Sequence, residues 1–450
     1  MRTTRRDLIP FSFYDHTGME KHLEKMAQKG WMLEELTNWG WKYRAIQPQK
    51  LHFSVSFDTR ASDFEPEPTE EQIMFQEFCR HSGWKLAAAS GWMQVFYNEE
   101  EDPLPIQTDP ELEVRMVGKR ARRMVPAYVI FLVPGFLIGG GWCFSLVTKP
   151  IQTLTTPSGV LLGLCWLCLF LYSTVDLIAY YAWHRRALAA AQRGEFLPTR
   201  GCHVLLYVAL AVIALGLVYW FVVERRPGMR LLTGGLLLAY VAMFLAVNGT
   251  KQIMKRKKAP ATLNRTITIC VDVLLAVILV GVVNAMVMKG MQNGAFSIEK
   301  QIKASLLASD LTGVEEEKYT TTVSTEMTPF LDRQEVWCRT GFDQEEPLPG
   351  MDYTLVKLHV PFLYNACFQE LCRPLEKRMA TYVDGSVVHA QYVAVDPTPW
   401  GAEEAYQLNL AGEFRQEYIL CWKDRIVQLG ADWDLTGEQM AIAGEKLTSA

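Results

Sequence analysis

The chain has 450 residues, half of them hydrophobic, with 45 basic residues set against 49 acidic ones for a net charge of −4. That balance gives no reason to expect a nucleic-acid partner. The length allows two or three folding units, and the apolar residues concentrate between Pro126 and Met288, leaving flanks with the polarity of ordinary soluble domains.

The first ten residues carry Arg2, Arg5 and Arg6 but no apolar run behind them, so they do not read as a signal peptide. The first crossing helix is then expected to act as an uncleaved anchor, with residues 1–98 forming a cytosolic α+β domain. Within it, residues 11–58 and 70–98 read as two copies of one unit. In the first copy, a helix from Glu20 closes at Gly30 and Trp31, and Gly40 and Trp41 open the next strand. In the second, a helix from Met74 closes at Gly83 and Trp84, followed by Gly91 and Trp92. Glycine suits the left-handed position that ends a helix. Alternation in Trp41, Tyr43, Ala45 and in Leu51, Phe53, Val55, Phe57 predicts half-buried strands. The expectation is two αββ-like halves, one extra strand in the first, and the helices on one face of the sheet. Trp31, Trp41, Trp84 and Trp92 are read as core fillers, with a ligand-lining role as the sharper alternative.

Phe13, Tyr14 and Asp15, the Gly30–Trp31 helix end, the Gly83–Trp84 pair and the aromatic strand from Trp92 to Tyr97 together resemble the bacterial family called domain of unknown function 2812. The resemblance covers residues 8–115. It implies a cytosolic domain followed by several spans, and a gene neighbourhood with PadR-type repressors. It implies no catalytic residues.

Residues 99–125 are an acidic, proline-containing linker with Glu99, Glu100, Glu101 and Asp102, then a basic stretch from Lys119 to Arg123. That stretch meets the bilayer and favours anionic headgroups. Five segments, 126–147, 158–181, 203–223, 231–247 and 266–288, are long enough to cross, since a spanning helix needs about 20 apolar residues; the fourth is the shortest, at about 17. Backbone groups cannot go unpaired in lipid, so these segments must be helical. Loops assigned to the cytosol carry four, four and six basic residues, and loops assigned outside carry one and three. By the positive-inside rule the amino terminus lies in the cytosol and the carboxy terminus outside. Asp176 and Asp272 sit inside the second and fifth spans, so they form a candidate intramembrane polar site. Pairing with Arg185 or an interhelical donor is the favoured reading, and an ion or proton relay the alternative.

Residues 289–450 are expected to form an extracytoplasmic α+β domain. Helices are predicted at Ile298–Leu307, Phe362–Met379 and Thr436–Lys446, the last with Thr436 and Gln439 as a capping box. Strands are predicted at Tyr319–Thr325, Tyr353–Val360, His389–Ala394, Ala405–Leu410, Tyr418–Trp422 and Arg425–Leu429. Cys367 and Cys372 lie five apart and should not pair with each other. Cys338 and Cys421 are candidates to pair with them across strands, with free buried thiols as the alternative.

No phosphate-binding glycine loop, HExxH or GxSxG motif occurs. No catalytic site, cofactor or metal is therefore expected. The Cys165–Cys168 spacing lies within a span, and His16, His22, His52 and His81 have no metal-ligand spacing. The whole reads as a polytopic α-helical membrane protein of the cell membrane. The leading expectation is a transmembrane sensor or regulatory adaptor, with a cytosolic protein partner and an extracytoplasmic ligand. A transporter subunit using the two aspartates, and an envelope-acting enzyme in the external domain, are the alternatives.

Overall fold

The computed structural model describes residues 3–7, 11–37, 40–58, 61–294, 303–340, 348–373, 390–410 and 412–449. The chain divides into two compact units. The first comprises Met1–Phe136, Trp166–Ala214 and Pro227–Phe296, and the second Leu137–Cys165, Leu215–Arg226 and Ser297–Ala450.

The first unit begins with β1 (Thr4–Asp7), α1 (His16–Gln28), β2 (Trp31–Thr37) and β3 (Gly40–Ala45). There follow β4 (His52–Phe57), α2 (Glu70–His81), β5 (Lys85–Ser90) and β6 (Met93–Asn98). These strands make two separate antiparallel sheets with the same order, β1-β3-β2 and β4-β6-β5. The repeat is therefore βαββ rather than αββ. The strand read as extra in the first half, β4, is the opening strand of the second, and β1 is its counterpart. Gly30 and Gly83 end the two helices with φ of 82° and 85°, the left-handed geometry that glycine adopts freely. A capping box between Thr69 and Gln72 starts α2.

The helices do not share one face. Met19, Leu23 and Met26 of α1 pack with Tyr43, Phe53, Val55, Met93 and Val95 in one core spanning both sheets. Successive strand residues point to opposite faces, so Phe96 turns the other way and packs with Cys79 of α2 and with Trp84.

Among the described residues five helices are long and apolar enough to cross a membrane, and the chain is a multi-pass membrane protein. The first is α3 (Pro110–Pro134), continued through a π-helical turn at Gly135–Gly139 into α4 (Gly140–Thr148). After the short α5 (Pro150–Leu154) come α6 (Pro157–Ala191), α7 (His203–Val223), α8 (Pro227–Arg256) and α9 (Ala261–Gln292). The fourth helix, expected to be the shortest, has 30 residues, and α7 with 21 is the shortest. Hydropathy marks only the apolar stretch, whereas the hydrogen-bonded helix continues through Asn248, Lys251 and Gln252 to Arg256.

The second unit carries α10 (Ala308–Thr312), β7 (Tyr319–Met327), β8 (Leu331–Thr340), β9 (Met351–Leu358) and α11 (Tyr364–Cys372). Next are β10 (Ala390–Val395), β11 (Glu404–Leu410), β12 (Glu413–Trp422), β13 (Arg425–Ala431) and α12 (Gly437–Ser449). The strands form one antiparallel sheet in the order β10-β11-β12-β13-β9-β8-β7. One face buries Met351, Tyr353, Leu420, Val427 and Leu429 beneath Leu311 of α10 and Ala443 and Leu447 of α12. The other face buries Val356, Leu358, Ile419 and Ile426 beneath Leu363 and Leu371, together with Ile151 and Leu154 from α5. The helix expected over Ile298–Leu307 is not formed where residues are described: 303–307 are irregular and the helix starts at Ala308. The expected Phe362–Met379 helix is a 3-10 turn at Pro361–Leu363 followed by α11, and its remainder lies outside the described residues. Strand β8 forms where the sequence pattern predicts no strand.

Candidate functional site

The segment before α1 is fastened to α3, α6 and the connection after α6. Asp15 caps α1 by accepting the Gly18 N–H at 3.1 Å. Just upstream, the Ser12 hydroxyl donates to Asp176 Oδ1 on α6 at 2.5 Å and accepts the Cys202 N–H at 3.1 Å. The Tyr128 hydroxyl on α3 donates to Asp176 Oδ2 at 2.6 Å. Asp176 is fully buried, and both of its oxygens are satisfied by hydroxyl donors from elsewhere in the chain. Arg185 makes no contact with it; the interhelical donor is Tyr128.

Around this node the same segment grips the α6–α7 connection. Tyr14 donates to the Arg200 carbonyl at 3.0 Å, and Thr17 and Thr199 exchange backbone and hydroxyl bonds at 3.0 and 3.1 Å. Gly201 approaches so closely that a Cβ there would lie 2.6 Å from Asp15 Oδ2 and 2.9 Å from Ser12 Oγ. Phe13 and Tyr14 pack on Tyr128, Tyr180 and Trp183. Burial first, and the Asp176 charge second, push the Tyr14 phenol well above its ordinary range, so it stays a neutral donor.

Asp272 takes no part in this. It is exposed on the surface of α9 and shares no hydrogen bond or ion pair with Asp176. The two aspartates are thus in different environments, one hydrogen-bonded in a core and the other on an open helix face.

A second titratable cluster lies nearby. His16 Nε2 is 3.1 Å from Glu113 Oε1 at the start of α3. Burial pulls the His16 pKa down, but the Glu113 hydrogen bond and the charges of Glu20 and Glu113 more than offset it, and the net shift is upward. Burial lifts the neighbouring Glu20 to about 7, although its carboxylate accepts the Val55 N–H at 2.9 Å.

Residues 15–130 match the family model described as protein of unknown function (DUF2812). This segment is a DUF2812 domain. No curated protein and no solved structure matches the chain. The match starts at Asp15, the cap of α1, and ends within α3, beyond the basic stretch that this helix carries. The match therefore takes in the head of the first apolar helix and every strand of the two sheets except β1.

Within the DUF2812 domain the four repeat tryptophans differ in setting. Trp41 is buried and stacks on Phe11, with ring centroids 5.3 Å apart. Trp84 is buried and donates its indole N–H to the Leu104 carbonyl at 2.9 Å. Trp31 is half-buried against the core. Trp92 is half-buried too, but it lines a cavity of about 450 Å³ together with Phe57, Asp63, Arg120, Arg123 and Arg265.

In the carboxy-terminal region Cys338, Cys367 and Cys421 are free thiols. Cys338 lies in the core on the α12 face of the sheet, while Cys367 and Cys421 lie in the core on the opposite face with Cys372 beside them. The cross-strand pairing considered for Cys338 is therefore not formed. Burial lifts the thiols of Cys367 and Cys421 to about 12 and about 11, which keeps them protonated and unreactive. Among the described residues no group of three or more His, Cys, Asp or Glu side chains is placed to hold a metal.

Proposed function

We propose that the protein is a transmembrane sensor or regulatory adaptor. In this reading the DUF2812 domain is cytosolic and contacts a protein partner, while the carboxy-terminal domain is extracytoplasmic and takes a ligand, a lipid or an envelope component. The observation that carries the reading is the Asp176 node. An intramembrane carboxylate in a transport path needs a polar cavity and an exchangeable partner. Asp176 instead spends both oxygens on fastening the domain's entry segment to α3 and α6. Such a fastener lets a movement of these helices alter how the domain is held, which is the requirement for passing a signal.

The orientation is supported by the loops that each domain uses. The DUF2812 domain engages the two connections richest in basic residues, through Thr17 on the α6–α7 connection and through Asp63 on Lys251 near the end of α8. The carboxy-terminal domain engages the sparsely basic α5 segment, where Glu370 accepts the Ile151 N–H at 2.6 Å. In the α7–α8 connection, Arg226 is held by Glu224 at 2.8 Å and Arg225 donates to Met327.

The test is crosslinking and affinity capture of the intact protein from its native membrane, in cells with and without an envelope-stressing compound, comparing wild type with Asp176→Asn. A specific partner that changes with stress, and whose stress response is lost in Asp176→Asn, supports the reading. A constant set of membrane subunits, or no partner at all, refutes it. If transport of any ion were instead abolished by Asp272→Asn, the transporter reading would replace it.

A further inference from the structure

The basic run within α3 is shared between two sides of the helix. Arg115, Lys119 and Arg122 recur at four- and three-residue spacing on one side, where they line a groove with Tyr181 and His184. Arg120 and Arg123 turn to the other side, toward the cavity lined by Trp92.

Arg120 is the unusual member. It is 7 % exposed, and its guanidinium carbon sits 3.6 Å from the Trp92 ring centre and 3.9 Å from the Phe57 ring centre. Its Nε and Nη1 atoms are buried with no hydrogen-bond partner among the described residues. Cation–π contact stabilises the faces of a guanidinium but leaves its in-plane N–H groups unsatisfied. A buried arginine normally has a carboxylate or a phosphate in that plane. The nearby acid, Asp63, is already matched by Lys251 at 3.2 Å. Asp58 accepts the Ala61 N–H at 3.4 Å. Exposed Arg123 and Arg265 also line the space, so three guanidinium groups face it against the two carboxylates of Asp58 and Asp63.

Position supplies the rest of the argument. Arg123 stands just before the apolar stretch that starts at Pro126, and Arg265 just before the one that starts at Thr266. Both therefore lie at the depth where a bilayer presents its phosphates. Arginine is suited to that group because its planar fork bonds phosphate oxygens in pairs.

We infer that the cavity between Trp92, Phe57, Arg120, Arg123 and Arg265 is a binding site for a phosphate group, carried by an anionic phospholipid headgroup or by a soluble phosphate. The phosphate oxygens take the in-plane N–H groups of Arg120, and Arg123 and Arg265 close over it from the mouth. This site is independent of the sensor reading.

The full-length protein is purified and placed in nanodiscs of phosphatidylcholine alone or with phosphatidylglycerol, and retained lipid is counted by native mass spectrometry. In parallel, inorganic phosphate is titrated into the phosphatidylcholine nanodiscs and the thermal midpoint is followed. The expected result is selective retention of phosphatidylglycerol, or a saturable rise in midpoint with phosphate, reduced about tenfold in affinity by Arg120→Gln and by Arg265→Gln. Retention without a phosphate response identifies a lipid headgroup, and the reverse identifies a soluble phosphate. Arg265→Gln changes an exposed mouth residue, so it keeps the test decisive where Arg120→Gln fails to fold. The inference is overturned if wild type shows neither effect. It is equally overturned if Arg265→Gln binds as wild type does, or if the exposed control Arg193→Gln loses as much as Arg265→Gln.

Discussion

Replacing Tyr128 by Phe removes one hydroxyl and leaves Asp176 Oδ2 without a donor in a site closed to water. A hydrogen bond to a charged group contributes about 1.5–3 kcal/mol, and an unsatisfied buried carboxylate belongs at the upper end of that range. Ser12→Ala removes two bonds, the donor to Oδ1 and the acceptor for the Cys202 N–H, for about 2–4 kcal/mol. The two losses should not add. Once one donor is gone the carboxylate is already poorly held, so the double variant should fall short of the sum by at least about 1 kcal/mol. The reporters are the Thr17 and Cys202 amide protons, bonded to Thr199 Oγ1 and Ser12 Oγ, followed by hydrogen exchange of the full protein in nanodiscs. A loss near 2.7 kcal/mol corresponds to about 100-fold faster exchange at Thr17. If Tyr128→Phe leaves Thr17 exchange within about threefold of wild type, or if the two substitutions add fully, Asp176 is not the fastener described above.

Three further outcomes follow from particular contacts. Glu20 has a folded pKa near 7, above its ordinary 4.5, so its protonated form supports the fold; that support is full below 4.5 and is lost as pH rises through 7. His16, raised above 6.5, acts in the same direction, its contribution being complete below 6.5 and lost as pH rises through its folded value. Thermal stability should therefore fall between about pH 5 and 8, by up to about 1.4 kcal/mol per pH unit per proton, and Glu20→Gln should flatten the profile. Glu370→Ala should free the Ile151 and Gln152 N–H groups at the start of α5, speeding their exchange by the equivalent of about 1–3 kcal/mol, while Glu370→Gln, which keeps an acceptor, should cost less. Gly444→Ala puts a Cβ 1.9 Å from the Trp400 carbonyl oxygen, a backbone atom with nowhere to go. It should destabilise by about 1–3 kcal/mol or more in a thermal melt, whereas Gly437→Ala, which meets nothing, should be neutral or mildly stabilising.

The spans were legible because twenty consecutive apolar residues have few alternative uses. The left-handed glycines and the Thr436–Gln439 cap were legible because those signals are local. Strand β1, with the sequence Thr-Arg-Arg-Asp, has no apolar side chain at all, and its strand character comes wholly from pairing with β3. Strand β8 was hidden for a different reason. Its inward positions include Gln334, which is buried because Tyr353 and Ser305 donate to its carbonyl oxygen at 2.9 and 2.7 Å, and this breaks the apolar alternation. At the candidate site the sequence pointed to Asp176, but its partner Ser12 lies 164 positions away. A serine in a short polar segment carries no signal of such a role. Arg120 was visible only as one of several basic residues at the membrane edge. What sets it apart, burial against Trp92 and Phe57, depends on how the second sheet meets α3.

The identical strand orders of the two sheets, and the closeness of their outer strands β2 and β5, bear on the origin of the domain. The larger core is shared between the two βαββ halves, since Met19 and Leu23 of the first half lie in one cluster with Met93 and Val95 of the second. Fusing the two copies of a small homodimer would produce such an arrangement, with the interface between copies becoming the interior of one chain. The two halves are no longer equivalent: Trp92 of the second turns toward α3, while Trp41 of the first is sealed against Phe11.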